Sequence, residues 1–229
     1  MMHNGRSRKL PFDAVEALNH LRSRDKKLAA LIEQAGAFTL QLEKRRSPFA
    51  SLVESIIYQQ LHGKAASSIH GRVLELFGGD PEAGLLLDVP EERLRGCGVS
   101  AAKIRALRDL AAKTLDGTVP TASAISKMSD EQIVERLTAV RGVGPWTVEM
   151  LLIFRLGRPD VLPVSDYGIR KGFALTFGRV PKSRPFEATD LATAEQIRKR
   201  AKRWHPYASV ASWYLWRACD LEKKKKAGS

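Results

Sequence analysis

Leu137-Thr138-Ala139-Val140-Arg141-Gly142-Val143-Gly144-Pro145-Trp146-Thr147-Val148-Glu149-Met150 is the stretch that sets the architecture. The spacing predicts a helix, a tight glycine hairpin and a second helix. Upstream, Ser129 and Gln132 make a capping box, and Ile133 and Leu137 are apolar at helical spacing. Gly142 and Gly144 admit positive φ and close backbone approach, while Val143 between them anchors the turn in a core. Pro145 suits the first turn of the next helix, where its missing N–H is an orphan in any case. Two readings are open. One is an ordinary αα-hairpin of a helical bundle. The other is an anion site, where several N–H groups and the positive end of a helix dipole converge; in a basic chain the fitting anion is a nucleic-acid phosphate.

The chain is basic. Its 229 residues carry a net charge of +13, which among partners of a soluble protein points to nucleic acid. Part of that charge sits at the ends, in Arg6, Arg8 and Lys9 and in Lys223 to Lys226, and terminal lysine runs read first as solvated tails. The length suits one compact unit or two small lobes. No apolar run approaches a membrane span, and no apolar stretch follows the N-terminal charges, so a cytoplasmic, nucleoid-associated protein with no membrane partner is expected. Cys97 and Cys219 give neither a disulfide framework nor zinc spacing. Nor do they supply the four thiolates of an iron–sulfur cluster.

Outward from the hairpin, helical signals recur and strand signals do not. From Phe12 to Ala35, Val15, Leu18, Leu21, Leu28, Leu31 and Ile32 predict one broken or two consecutive helices ended by Gly36. Phe38, Leu40 and Leu42 alternate with polar neighbours and allow a short extended piece. Ser47-Pro48 is a helix start whose buried stripe is Phe49, Leu52, Val53, Ile56 and Ile57. That helix exits through the polar Tyr58-Gln59-Gln60-Leu61-His62, broken at Gly63, into a helix through Ile69, Val73 and Phe77. Asp80-Pro81 caps a short helix, and Val89-Pro90 opens another ending at Gly96-Cys97-Gly98. Ser100 caps an amphipathic helix through Ile104, Leu107, Leu110 and Leu115, on which Lys103, Arg105 and Arg108 either contact phosphates or face water. Tyr167 to Phe177 forms a helix stopped by Gly178. Thr193 with Gln196 makes a second capping box, and Trp204-His205-Pro206-Tyr207 separates that helix from the last one. The expected fold is all-α.

Beyond the hairpin lies Val161-Leu162-Pro163-Val164-Ser165-Asp166-Tyr167. By itself Asp166 reads as an N-cap of the helix beginning at Tyr167. With Val140-Arg141-Gly142-Val143-Gly144-Pro145-Trp146-Thr147 upstream, the segment resembles the helix–hairpin–helix, glycine/proline-rich, aspartate superfamily of DNA glycosylases. The match is closest to the alkylation-repair branch typified by 3-methyladenine DNA glycosylase II, and extends more loosely from Phe49 to Trp216.

That resemblance implies two helical lobes with a cleft between them. The terminal lobe would combine 11–46 with 166–222, and the central lobe 47–165 would hold the helix–hairpin–helix at about 130–157. Residues 1–10 would form a disordered basic N-terminus and 223–229 a Lys-rich tail. The resemblance is to the compact form, and the N-terminal β domain of some members is not expected. Asp166 would be the catalytic carboxylate, stabilising positive charge on the sugar as the N-glycosidic bond breaks. Trp146, Trp216 and Tyr167 would line the base pocket, since electron-poor alkylated purines favour aromatic faces. Gln60 would enter the DNA stack, with His62 in the minor groove. Gly142, Val143, Gly144 and Thr147 would grip a phosphate. The main-chain carbonyls of Thr138, Val140 and Val143 would hold a structural monovalent cation, sodium or potassium; no other cofactor is required, and no iron–sulfur cluster is expected. Members that also nick the strand carry a Schiff-base lysine two residues after the second hairpin glycine, a position held here by Trp146. An indole cannot act so. The expectation is a monomeric, monofunctional enzyme acting on double-stranded DNA with alkylated bases, 3-methyladenine or 7-methylguanine. The alternatives are a non-enzymatic module binding DNA structure and a bifunctional glycosylase/lyase.

Overall fold

The computed structural model describes residues 9–43, 46–178, 184 and 186–227. Residues 1–8 of the expected disordered N-terminus lie outside the described residues, as do 228–229 and the side chains of 225–227 in the Lys-rich tail. Among the described residues the structure is helical without a strand. The stretch from Phe38 to Leu42 is irregular, with an isolated bridge at Leu42 in place of an extended piece. The chain divides into two compact units, Met1–Lys44 with Leu152–Ser229, and Arg45–Leu151.

The first unit begins with α1 (Ala14–Arg24) and α2 (Lys26–Ala35). Asp25 alone separates them, and its carboxylate caps α2 by accepting from the Lys27 and Leu28 N–H groups.

The second unit holds α3 (Pro48–Tyr58), α4 (Gly63–Phe77), α5 (Ala83–Asp88), α6 (Glu91–Gly96), α7 (Ala101–Leu115), α8 (Ala122–Ile125), α9 (Asp130–Thr138) and α10 (Pro145–Leu151). Ser47, Ser100 and Ser129 cap α3, α7 and α9 through their side chains. Gly63 turns out to begin α4, and the break from α3 lies in residues 59–62. The cap of α5 is Glu82, not Asp80. α7 packs against α3 and α5, burying Ile104, Leu107 and Leu110 among Leu52, Ile56, Ile57 and Leu86, each essentially inaccessible. Such a core stabilises by about 1.5–3 kcal/mol for each large apolar side chain buried.

The chain then passes through a π-helical turn (Leu152–Leu156) and returns to the first unit, where α11 (Tyr167–Phe177), α12 (Ala194–Ala201) and α13 (Ala208–Ala227) complete it. The crossing at Leu151–Leu152 precedes the Ser165 boundary expected from the sequence. Residues 152–161 are tied to this unit: Glu43 N–H donates to Phe154 O (3.0 Å), and Ser209 Oγ accepts from Val161 N–H (2.9 Å). α13 continues to Ala227, so residues 223–227 extend a helix. The core joins Leu21, Leu28 and Ile32 to Ile169, Phe173, Ile197, Trp204, Tyr214 and Leu215. Asp25 is buried within it. Arg200 donates to both its oxygens (2.7 Å each) and Trp204 Nε1 adds a third bond (3.1 Å). α11 approaches α13 so closely that a Cβ at Gly172 would stand 2.0 Å from Leu215 O.

Candidate active site

The phosphate-hairpin candidate belongs to the second unit. Its first helix has the expected capping box, with Ser129 Oγ accepting from Gln132 N–H and Gln132 Oε1 from Ser129 N–H. At Gly142 φ is 79°, where a side chain would be strained. The turn is pinned from several directions. Arg141 N–H donates to Asp109 Oδ2 (2.7 Å), and Lys113 Nζ donates to both oxygens of the same carboxylate. Burial raises the Asp109 pKa, but donation from Arg141 N–H and Lys113 outweighs it and holds the carboxyl below its usual range. Val143, buried as expected, donates its N–H to Val140 O (3.0 Å). The helical ladder starts with Val148 N–H to Gly144 O (3.3 Å), so the N–H groups of Gly144 and Thr147 precede it. Thr147 is buried. Trp146 sits on the first turn, 46% exposed.

Gln60 and His62, also in this unit, are exposed in the break between α3 and α4. Gln60 has φ 57°, the one non-glycine residue with positive φ among the described residues. His62 is the N-cap position of α4 and makes no side-chain capping bond. Two residues hold this turn, Gln59, to which sequence reasoning gave no role, and Lys103, which it placed on phosphate or in water. Gln59 Nε2 donates to Gly142 O (2.8 Å), and Lys103 Nζ donates to Ile57 O (2.7 Å) and Gln59 O (2.8 Å). Lys103 is therefore engaged with main-chain carbonyls; Arg108 likewise donates to Leu87 O and Val89 O.

The aspartate belongs to the first unit. A turn after Leu162-Pro163, closed by Asp166 N–H to Pro163 O (3.0 Å), delivers it to the head of α11. Asp166 is the N-cap, its Oδ1 accepting from Ile169 N–H (2.8 Å). The same oxygen accepts from Trp216 Nε1 (2.8 Å), so Asp166 and Trp216 are brought together. The Trp216 ring stacks on Phe154 (centroids 5.6 Å apart, planes 30° apart), which the π-helical turn presents. Gly168 makes room: a Cβ there would lie 2.7 Å from Trp216 Cδ1 and 3.1 Å from Asp166 Oδ1. Tyr167 is 61% exposed. Trp204, Trp213 and Tyr214 are buried core residues, as the sequence suggests. Of the other acids, Glu149 is half-buried, while Asp160 accepts from Ala208 N–H (3.1 Å) and pairs with His205.

Phe154, Gly168 and Gln59 escaped the sequence reading, and Lys103, read as a phosphate contact or a wet side chain, instead binds main-chain carbonyls. The four-residue spacing of Gly168 and Gly172 was the visible signal, since two glycines on one helix face permit a close neighbour. Phe154 left none, because a π-helical turn has no periodic signature.

Comparison with known proteins fits this geometry. The family model for the "HhH-GPD superfamily base excision DNA repair protein" matches residues 53–206. DNA-3-methyladenine glycosylase 1 of Schizosaccharomyces pombe is 35% identical, over 88% of this chain and 86% of its own. The solved structure of the S. pombe 3-methyladenine DNA glycosylase Mag1 in complex with abasic DNA superposes with a TM-score of 0.73, at 35% identity, covering 88% of this chain and 95% of that one. A DNA-3-methyladenine glycosidase from Bacillus halodurans gives a TM-score of 0.80 at 33% identity, covering 94% of each chain. With a fold, a glycine hairpin and a capping aspartate of this kind, the chain belongs to the HhH-GPD superfamily of base excision DNA repair proteins.

Proposed function

We propose that this chain is a monofunctional DNA glycosylase that excises alkylated purines of the 3-methyladenine and 7-methylguanine type from double-stranded DNA, leaving an abasic site uncut. The observation that carries this reading is the Asp166 carboxylate, one oxygen of which is fixed by two N–H donors at 2.8 Å. A carboxylate so oriented is preorganised for positive charge developing on a deoxyribose. The C1′–N bond breaks with its electron pair leaving on the base. An alkylated purine already carries positive charge, so it departs neutral without a protonating acid. Water then adds to C1′ and loses a proton. Trp146 stands where a Schiff-base lysine would, which supports hydrolysis without strand cleavage.

The remaining roles follow from this reading. A damaged nucleotide leaves the stack at a cost of a few kcal/mol. Gln60 fills the gap, His62 lies in the minor groove, and the N–H groups of the 142–147 segment hold a phosphate. Trp146, Tyr167 and Trp216 offer ring faces to the base. The carbonyls of Thr138, Val140 and Val143 hold a monovalent cation; Val140 O already accepts from Val143 N–H but keeps a second lone pair. The enzyme acts as a cytoplasmic monomer.

The test is release of free bases from methylated genomic DNA, identified by chromatography. 3-Methyladenine and 7-methylguanine are expected in the supernatant, with no protein–DNA adduct after borohydride treatment. Absence of both bases overturns the assignment; a trapped adduct overturns its monofunctional part.

A further inference from the structure

The turn at residues 59–62 and the hairpin at 142–144 are bridged by side chains that the roles above leave unused. α3 ends at Tyr58, so its last carbonyls have no partner in the helix. Lys103 reaches from α7 and donates to two of the carbonyls at that end, Ile57 O and Gln59 O. This fixes the backbone just before Gln60, the residue held at φ 57°. L-residues leave that region readily, so a polar side chain retained there needs support from its surroundings. Gln59 then donates from Nε2 to Gly142 O. The Gly142–Val143 peptide is thereby held at both faces, its carbonyl by Gln59 and its N–H by Val140 O. The Arg141 N–H, one residue before Gly142, is held by Asp109 from α7. One helix, α7, thus braces both the turn and the hairpin. Burial pushes the Lys103 ammonium below the ordinary lysine range, in keeping with a group enclosed by carbonyls and not spread over a phosphate.

We propose that Gln59, with Lys103 behind it, is a positioning residue that couples insertion of Gln60 into the DNA stack to the hairpin's hold on the neighbouring phosphate. This rests on the glycosylase reading above. Under it, the hairpin binds first through sequence-independent phosphate contacts, and the Gln59 bond delivers the turn to the stack at a fixed distance from that phosphate. A loosened turn would still ride on a bound protein but would enter the duplex less often.

The experiment uses a duplex with a tetrahydrofuran abasic analogue, which cannot be hydrolysed, and 2-aminopurine as its neighbour. Fluorescence at saturating protein reports disruption of the stack whatever the chemistry. The wild-type protein is expected to change it. Gln59→Met, which keeps the length of a half-exposed side chain but removes the donor, is expected to reduce that change by about half or more, with the duplex Kd held within about threefold by intact phosphate contacts. Lys103→Met should act in the same direction and Lys103→Arg should restore most of the signal. In a Gln60→Ala background Gln59→Met should add nothing, an outcome that general destabilisation would not produce. The inference is overturned if Gln59→Met matches wild type, if the Gln59 and Gln60 effects add independently, or if wild-type binding leaves the fluorescence unchanged. Failure of wild type to release alkylated bases, measured separately, sinks the glycosylase reading and leaves the fluorescence result standing.

Discussion

Trp216 combines two jobs at one residue, offering a ring face and donating from Nε1 to the Asp166 carboxylate. Trp216→Phe separates them, keeping an aromatic ring beside Phe154 while deleting the donor. A hydrogen bond to a charged group contributes about 1.5–3 kcal/mol, so the single-turnover rate on an alkylated duplex should fall about 10- to 100-fold. Duplex affinity, read by fluorescence anisotropy, should barely move. Asp166 was legible in the sequence as an N-cap, a local pattern, and as a catalytic candidate only through the family resemblance. Its bond to Trp216 was not, since the partner lies on a helix fifty residues further on. The same limit hid the role of Lys103, which reads as a phosphate contact or a wet lysine on an amphipathic helix until its carbonyl partners are placed beside it.

At the scale of elements, two contacts within the first unit are open to substitution. α11 meets α13 through Gly172, where Gly172→Ala would drive a Cβ into the Leu215 carbonyl. Overpacking of this kind costs about 1–3 kcal/mol or more, and a lower thermal midpoint measures it. α2 is fastened to α12 by the buried Asp25–Arg200 pair. Asp25→Asn should destabilise by about 3 kcal/mol, measured by urea unfolding, because it leaves Arg200 facing an amide. Burial raises the Asp25 pKa, but bonds from Arg200, Trp204 and Leu28 N–H outweigh it and hold the carboxyl below the usual carboxylate range. Its folded-state value is depressed, so its stabilisation is complete above the unfolded value and is lost as pH falls through the lower folded one. Wild type should accordingly lose stability in that acid window more steeply than Asp25→Asn. Helix caps at Ser47, Ser100, Ser129, Thr193 and Asp166 were readable from the sequence because capping is settled within four residues. The break between α3 and α4 was misplaced onto Gly63. Glycine is a local breaker signal, whereas the break at 59–62 is held by bonds to partners distant in sequence, Gln59 to Gly142 O and Lys103 to Ile57 O and Gln59 O.

For the whole molecule, the charge of +13 and a hairpin built from main-chain N–H groups imply that most binding energy comes from phosphates. Duplex affinity should fall linearly on a log–log salt plot, by about 0.9 log units for each phosphate neutralised, with equal slopes for alkylated and undamaged DNA. Unequal slopes would mean that damage changes the number of phosphates contacted. The all-α class and the hairpin were legible because both are written in local periodicity and glycine placement. The crossing between units was not, because it falls inside a helix that passes into a π-helical turn without a break in pattern. The most direct measurement compares wild type with Asp166→Asn on one duplex bearing a single alkylated purine, following base release and duplex binding together. Release is expected to drop by at least about two orders of magnitude, as for loss of a principal electrostatic group, while Kd stays close to wild type. Release by Asp166→Asn at the wild-type rate would contradict a catalytic carboxylate at this position.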